Sequence, residues 1–177
     1  MASDQRYYQL TPGRKPIQTL ITRTAFLMLG HAFQTAYRVD PAVKKEVDSW
    51  PETFTFVMDV EPDGPRMVLV KRNNTLQYLG EREVYNADVV LAVKNVEFGF
   101  RMMTGLLSIP RLVFENRQYV KGDLAVVASI LRCMNVVVLM MLPGVAGFFL
   151  KKVPRLNMQT IKNRVVFYTV GWLGQIK

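Results

Sequence analysis

Ile17, Leu20, Ile21, Thr24, Met28 and Ala32 recur at helical spacing and line one face of a predicted helix. Arg14, Lys15 and Arg23 sit beside that face, so the helix reads either as packed on a domain or as also touching lipid. Asp40 followed by Pro41 makes an N-cap with proline at the first helical position, opening a short helix that Pro51 stops. The period then changes to two. In residues 53–60, Phe54, Phe56, Met58 and Val60 share one face and Thr53, Thr55 and Asp59 the other, which predicts a half-buried strand. A Pro62-Asp63-Gly64-Pro65 turn leads to a strand at 66–71, and Asn73-Asn74 leads to another at 75–79, together an antiparallel meander. Residues 88–93 are apolar on both faces, which places that strand inside the sheet with helix on at least one side.

Asn95 caps a predicted helix through Phe98, Phe100, Met102 and Met103, with Glu97 in its first turn and Gly105 at its end. Ser108 and Pro110 start a short helix carrying Leu112, Val113 and Phe114. Residues 117–121 form a last short strand, and the Gly122-Asp123 turn caps a helix that is apolar all round. Between Leu124 and Leu150 the only charge is Arg132. Three readings meet on this run: a membrane span, a buried helix followed by a core-plugging loop, and a helix lining a lipid cavity. Pro143, Gly144 and Gly147 interrupt it and count against a span, because hydrocarbon penalises broken backbone. The cavity-lining reading is favoured. The closing segment, 157–177, is again read as helical, with Met158, Ile161, Val165, Tyr168, Trp172 and Ile176 on one stripe, and residues 1–16 as a surface arm.

Half of the 177 residues are hydrophobic and mean hydropathy is +0.10, high for a surface that meets only water. The net charge of +9 is divided as +4 over residues 1–39, −2 over 40–123 and +7 over 124–177. No acidic residue follows Asp123. Cations beside continuous apolar sequence suit an anionic leaflet, where each Lys or Arg contributes about 1 kcal/mol. Four of them, Lys151, Lys152, Arg155 and Lys162, would amount to about 4 kcal/mol. No recognition helix or RNA-binding sheet signature accompanies the charge, which argues against nucleic acid. The N-terminus carries no secretory pattern, so a cytoplasmic, peripherally membrane-associated protein is expected.

His31 is the only histidine and Cys133 the only cysteine, and both lie in apolar helical sequence. Neither acid–base chemistry nor a metal site is indicated, and there is no phosphate-cradling glycine loop. No catalytic residue, metal or cofactor is expected. Cys133 reads as a buried, inert thiol.

Three strings resemble the sterol carrier protein 2 family of small lipid-binding domains. They are Ala87-Asp88-Val89-Val90-Leu91-Ala92-Val93, like the family's acidic-apolar strand; Met103-Thr104-Gly105-Leu106-Leu107, like its helix-ending turn; and Tyr119-Val120-Lys121-Gly122-Asp123, like its KGD-type turn before the cavity helix. With the meander, the resemblance covers roughly residues 30–140. It implies an α+β fold: a single curved, mainly antiparallel sheet of about five strands, packed on helices around an apolar cavity, with extra N- and C-terminal helices. It divides the chain into an arm and amphipathic helix (1–29), the lipid-binding domain (30–142) and a basic apolar extension (143–177). The family includes an accessory protein of bacterial ubiquinone biosynthesis. The chain ends Gln175-Ile176-Lys177 and so lacks the peroxisomal members' targeting tripeptide.

The ligand expected is a sterol, fatty acyl chain, phospholipid or isoprenoid quinone precursor in an internal tunnel. The candidate lining is Phe98, Met102, Met103, Leu106, Leu112 and Phe114 from the middle segment. Val127, Ile130, Leu131, Met134, Val138 and Met141 complete it from the long helix. Phe148 and Phe149 with Lys151, Lys152 and Arg155 are the membrane-docking candidates. Arg101, Arg132 and Asn135 are candidates for headgroup contact, with Arg132 alternatively paired to a carboxylate of the sheet. The expected partners are a lipid, an anionic membrane surface and enzymes of lipid or quinone synthesis. The alternative is a membrane-associated scaffold or accessory subunit without an internal ligand.

Overall fold

A computed structural model of the chain describes residues 15–84, 86–107 and 109–141, together with 162, 165 and 166. Helix α1 (Pro16–Val39) starts with proline at its first position and ends at Asp40, whose extended backbone is what a residue before proline adopts. The Asp40 carboxylate then caps α2 (Pro41–Asp48), its Oδ1 accepting from the backbone N–H groups of Ala42 at 2.9 Å and Val43 at 3.2 Å. One aspartate thus ends one helix and begins the next.

Strands β1 (Phe54–Val60), β2 (Arg66–Arg72) and β3 (Thr75–Gly80) form the meander. Asn73 and Asn74 both adopt positive φ, 48° and 53°, the conformation of a two-residue hairpin turn that matches strand twist. Strand β4 (Val89–Val93) pairs with β1 in parallel, and β5 (Gln118–Lys121) closes the sheet antiparallel to β4. The order is β3-β2-β1-β4-β5, so the doubly apolar β4 is an interior strand. Between β4 and β5 lie α3 (Val96–Met103), capped by Asn95 Oδ1 on the Phe98 N–H at 3.0 Å, and the short α4 (Ile109–Phe114).

Helix α5 (Leu124–Met141) follows β5, and Asp123 Oδ1 accepts from the Ala125 N–H at 2.8 Å. It packs against α1 and α2. The helices lie on one face of the sheet, where Phe26, Leu29 and Phe33 of α1 are almost wholly buried among Phe54, Phe56 and Met58. Each such side chain contributes about 1.5–3 kcal/mol by leaving water. The other sheet face is covered by chain without helix: Val57, Val68 and Val70 pack with Leu79, Val84, Ala87 and Val90. Among the described residues the fold is therefore α+β, with one open, mostly antiparallel five-stranded sheet packed with the five helices α1 to α5.

Candidate functional site

Alternation along the strands settles which side chains face the helices. The register aligns Phe56 with Leu69 and Val89, Met58 with Met67 and Leu91, Val60 with Val93, Leu91 with Val120, and Val93 with Gln118. The inner face is apolar with two polar intrusions at its ends, Lys71 paired with Phe54 on one side and Gln118 on the other. Lys71 is 1% exposed, and its Nζ donates to the carbonyls of Val47 (2.8 Å), Asp48 (3.2 Å) and Trp50 (2.7 Å) at the C-terminal end of α2. Burial pushes its pKa below the usual lysine value, against the pull of Asp48 and Glu52. Gln118 has no such cage, since both polar atoms of its side chain are buried and meet no hydrogen-bond partner.

Above this face, the predicted lining residues divide. Met102, Leu112, Val127, Ile130 and Met134 belong to the buried cluster, and Phe98, Met103, Leu131 and Met141 are partly buried against it. Leu106, Phe114 and Val138 are turned outward, at 70%, 91% and 40% exposure. Leu106 follows the turn at Gly105, where φ is +74°. In the short α4, Leu112 takes the inward position, and the next residues rotate away by about 100° each. On α5 the inward stripe runs through Val127, Ile130, Met134 and Val137, leaving Val138 at its margin. Val137, Cys133 and Met140 are as buried as any predicted lining residue and join the inner layer with them.

The single charge in α5 has a partner, though not in the sheet. Arg132 binds Glu46 of α2, and Glu46 also accepts from Ser129 Oγ at 2.7 Å. Ser129 Oγ accepts in turn from Trp50 Nε1 at 2.8 Å. These hydrogen bonds, led by Arg132, hold the Glu46 carboxyl down to about 2. Of the other headgroup candidates, Arg101 pairs with Glu97 one helical turn away, and Asn135 is exposed. Phe148, Phe149, Lys151, Lys152 and Arg155 lie outside the described residues, as does most of the expected C-terminal helix, of which 162, 165 and 166 are helical.

Helix α1 keeps large apolar residues on the side away from the core, and α5 exposes Leu124 and Val138 beside Arg132 and Asn135. On α1, Ile17, Leu20, Ile21 and Leu27 are exposed opposite the buried Thr22, Phe26 and Phe33. Helix α5 has a mean hydropathy of 2.2 with 39% of its residues buried, so by length and composition alone it is apolar enough to cross a membrane. On the far face of the sheet an open cleft of about 250 Å³ is lined by Val57, Asp59, Arg66, Val84, Asn86, Ala87, Asp88, Val90 and Lys121, none of them a predicted lining residue.

No family model matches the chain, and no curated protein matches it. Among solved structures its neighbours include sterol carrier protein 2 domains. One is a UbiJ-SCP2 ubiquinone synthesis protein, 19% identical over 69% of this chain and 99% of that one, with a TM-score of 0.44. Another is sterol carrier protein 2 from Yarrowia lipolytica in its apo form, 13% identical over 62% and 86%, with a TM-score of 0.43. A third is the conserved hypothetical protein TT1886, possibly sterol carrier protein, from Thermus thermophilus, 17% identical over 63% and 82%, with a TM-score of 0.44.

Among the described residues, no three His, Cys, Asp or Glu side chains are placed to hold a metal ion. His31 is partly buried with its ring edge-on to Tyr78, centroids 5.0 Å apart. Cys133 is 1% exposed, and desolvation pushes its thiol up to about 12. Both groups are packed in the manner of structural residues.

Proposed function

We propose that this chain binds a lipid between the inner face of its sheet and helices α3 to α5, without catalysis. It docks peripherally on an anionic membrane surface from the cytoplasm, taking up the lipid or presenting it to enzymes of lipid or ubiquinone synthesis. The observation that carries the reading is α5: it contributes Val127, Ile130 and Met134 to the buried layer, while Arg132 is the one charge along its length and Leu124 and Val138 stay exposed. The three resembling strings support the same reading by their positions. The first spans β4, the second ends α3 at Gly105, and the third is β5 with the turn and cap that launch α5.

Membrane docking draws support from Ile17, Leu20, Ile21 and Leu27, exposed along α1, and from the basic sequence after residue 141. The same outward stripe favours the second reading, a membrane-associated scaffold or accessory subunit that holds such enzymes without an internal ligand. Native mass spectrometry separates the two. An empty dry tunnel of about 400 Å³ would cost near 10 kcal/mol by the mutational scale of roughly 24 cal/mol per Å³, so a carrier leaves the cell filled. The expected result is a discrete lipid adduct on the folded protein, removed by delipidation and restored by added lipid extract. Protein that emerges bare and takes up nothing, yet still binds vesicles, would leave the scaffold.

A further inference from the structure

Buried carboxamides in folded proteins are hydrogen-bonded, and leaving one unpaired is destabilising. Gln118 is 4% exposed, and neither its Nε2 nor its Oε1 meets a partner. Its pairing with Val93 aims it to the helix side of the sheet, on the edge strand. Leu112 lies beside it in the chain path, because the Arg117 N–H donates to the Leu112 carbonyl at 2.8 Å. Lys71, the other polar residue of this face, shows what a purely structural solution looks like, with three carbonyls around one ammonium.

Resting on the lipid-binding reading above, we infer that Gln118 is the polar end of the ligand site: its carboxamide hydrogen-bonds the head of an amphiphile whose hydrocarbon lies under α3 and α5. The amide offers one acceptor and two donors and no charge, which fits a hydroxyl or carbonyl head. Three arginines of the connection between β4 and β5 already have partners. Arg117 stacks over the Phe98 ring at 4.2 Å and donates to Glu115, Arg111 donates to the same carboxylate, and Arg101 is held by Glu97. A carboxylate or phosphate beside Gln118 would be a buried charge without a counter-ion. The ligand class is therefore a long-chain neutral alcohol or carbonyl compound.

The test uses the full-length, delipidated protein loaded with the uncharged fluorescent probe N-phenyl-1-naphthylamine and displaced by 1-dodecanol, dodecanoate or dodecane. The wild type is expected to bind dodecanol about tenfold more tightly than dodecane, the value of one good hydrogen bond. Gln118→Leu and Gln118→Met should bring dodecanol to the dodecane affinity and leave dodecane unchanged. Both variants should melt at or above the wild type, since no protein hydrogen bond is lost. A dodecanol preference that survives both substitutions, a wild-type preference for dodecanoate, or variants melting several degrees lower would overturn the role of Gln118 and leave lipid binding intact. Failure of the uncharged probe and all three competitors to bind would overturn both.

Discussion

Arg132 of α5 grips Glu46 of α2 through two hydrogen bonds, Nε to Oε1 and Nη2 to Oε2, each 2.8 Å long. A planar fork on a planar carboxylate fixes orientation as well as distance. Ser129 lies one turn earlier on the same helix and bridges the same carboxylate to the Trp50 indole. The helix is thereby held at one rotation about its axis, with Ile130, Met134 and Val137 toward the sheet.

This carboxylate predicts an acid-sensitive fold. Its pKa falls from the ordinary 4.5 to about 2 on folding, so the unfolded chain binds the extra proton. The stabilisation is complete above pH 4.5 and is lost as pH falls through about 2. Urea midpoints measured down this range should drop less steeply for Glu46→Gln than for the wild type. Parallel curves would mean that the bridge is not maintained in solution.

Lys71 should be hard to replace even by a residue of similar shape. Lys71→Met keeps the stem but abandons three carbonyls, two of them buried, for a loss on the order of 2–4 kcal/mol and a fall in Tm of roughly 5–15 °C. Equal stability in thermal and urea unfolding would show that water reaches those carbonyls instead.

Local signals were legible before any coordinates. Asp40, Asn95 and Asp123 cap the helices they precede, and the Asn73-Asn74 pair turns β2 into β3, because each depends on neighbours in sequence. The alternation from Phe54 to Val60 likewise names the inner face of β1. What lay beyond reach was orientation within segments apolar throughout. Nothing around Leu106, Phe114 or Val138 marks them as outward, since hydrophobicity does not vary with direction there. Arg132 pairs with α2 and not with the sheet because its partner is set by helix packing across more than eighty residues. Gln118 was within reach, because in a short strand it must share a face with Val120, but its lack of partners needed coordinates.

Gly30 lets α1 approach the sheet. A Cβ there would sit 2.4 Å from the Tyr78 ring, so Gly30→Ala should lose about 1–3 kcal/mol to overpacking despite a gain in helix propensity of about 1 kcal/mol. In a Tyr78→Ala background the sign should reverse, with alanine at 30 the more stable residue. A double-mutant cycle by urea unfolding measures this, and additivity would dismiss the contact.

The Cys133 thiol, lifted to about 12 and enclosed by core side chains, should be inert toward 5,5′-dithiobis(2-nitrobenzoate) at neutral pH. Labelling should begin only with unfolding and follow its urea dependence. Rapid reaction of the native protein would show that the inner layer opens on its own.

Peripheral docking makes the last prediction. Two sets of residues are asked to act together, the exposed Leu20 and Ile21 on α1 and the basic pair Lys151 and Lys152. With about 1 kcal/mol for each cation at an anionic surface, Lys151→Glu with Lys152→Glu should weaken binding to phosphatidylglycerol-containing vesicles by at least roughly thirtyfold, less so as salt is raised. Leu20→Ser should weaken it by a factor that salt leaves unchanged, because the loss there is burial of hydrocarbon. Co-sedimentation across a salt series reads both slopes. If Leu20→Ser binds as the wild type does at every salt concentration, α1 does not meet the membrane, and its exposed stripe faces a protein.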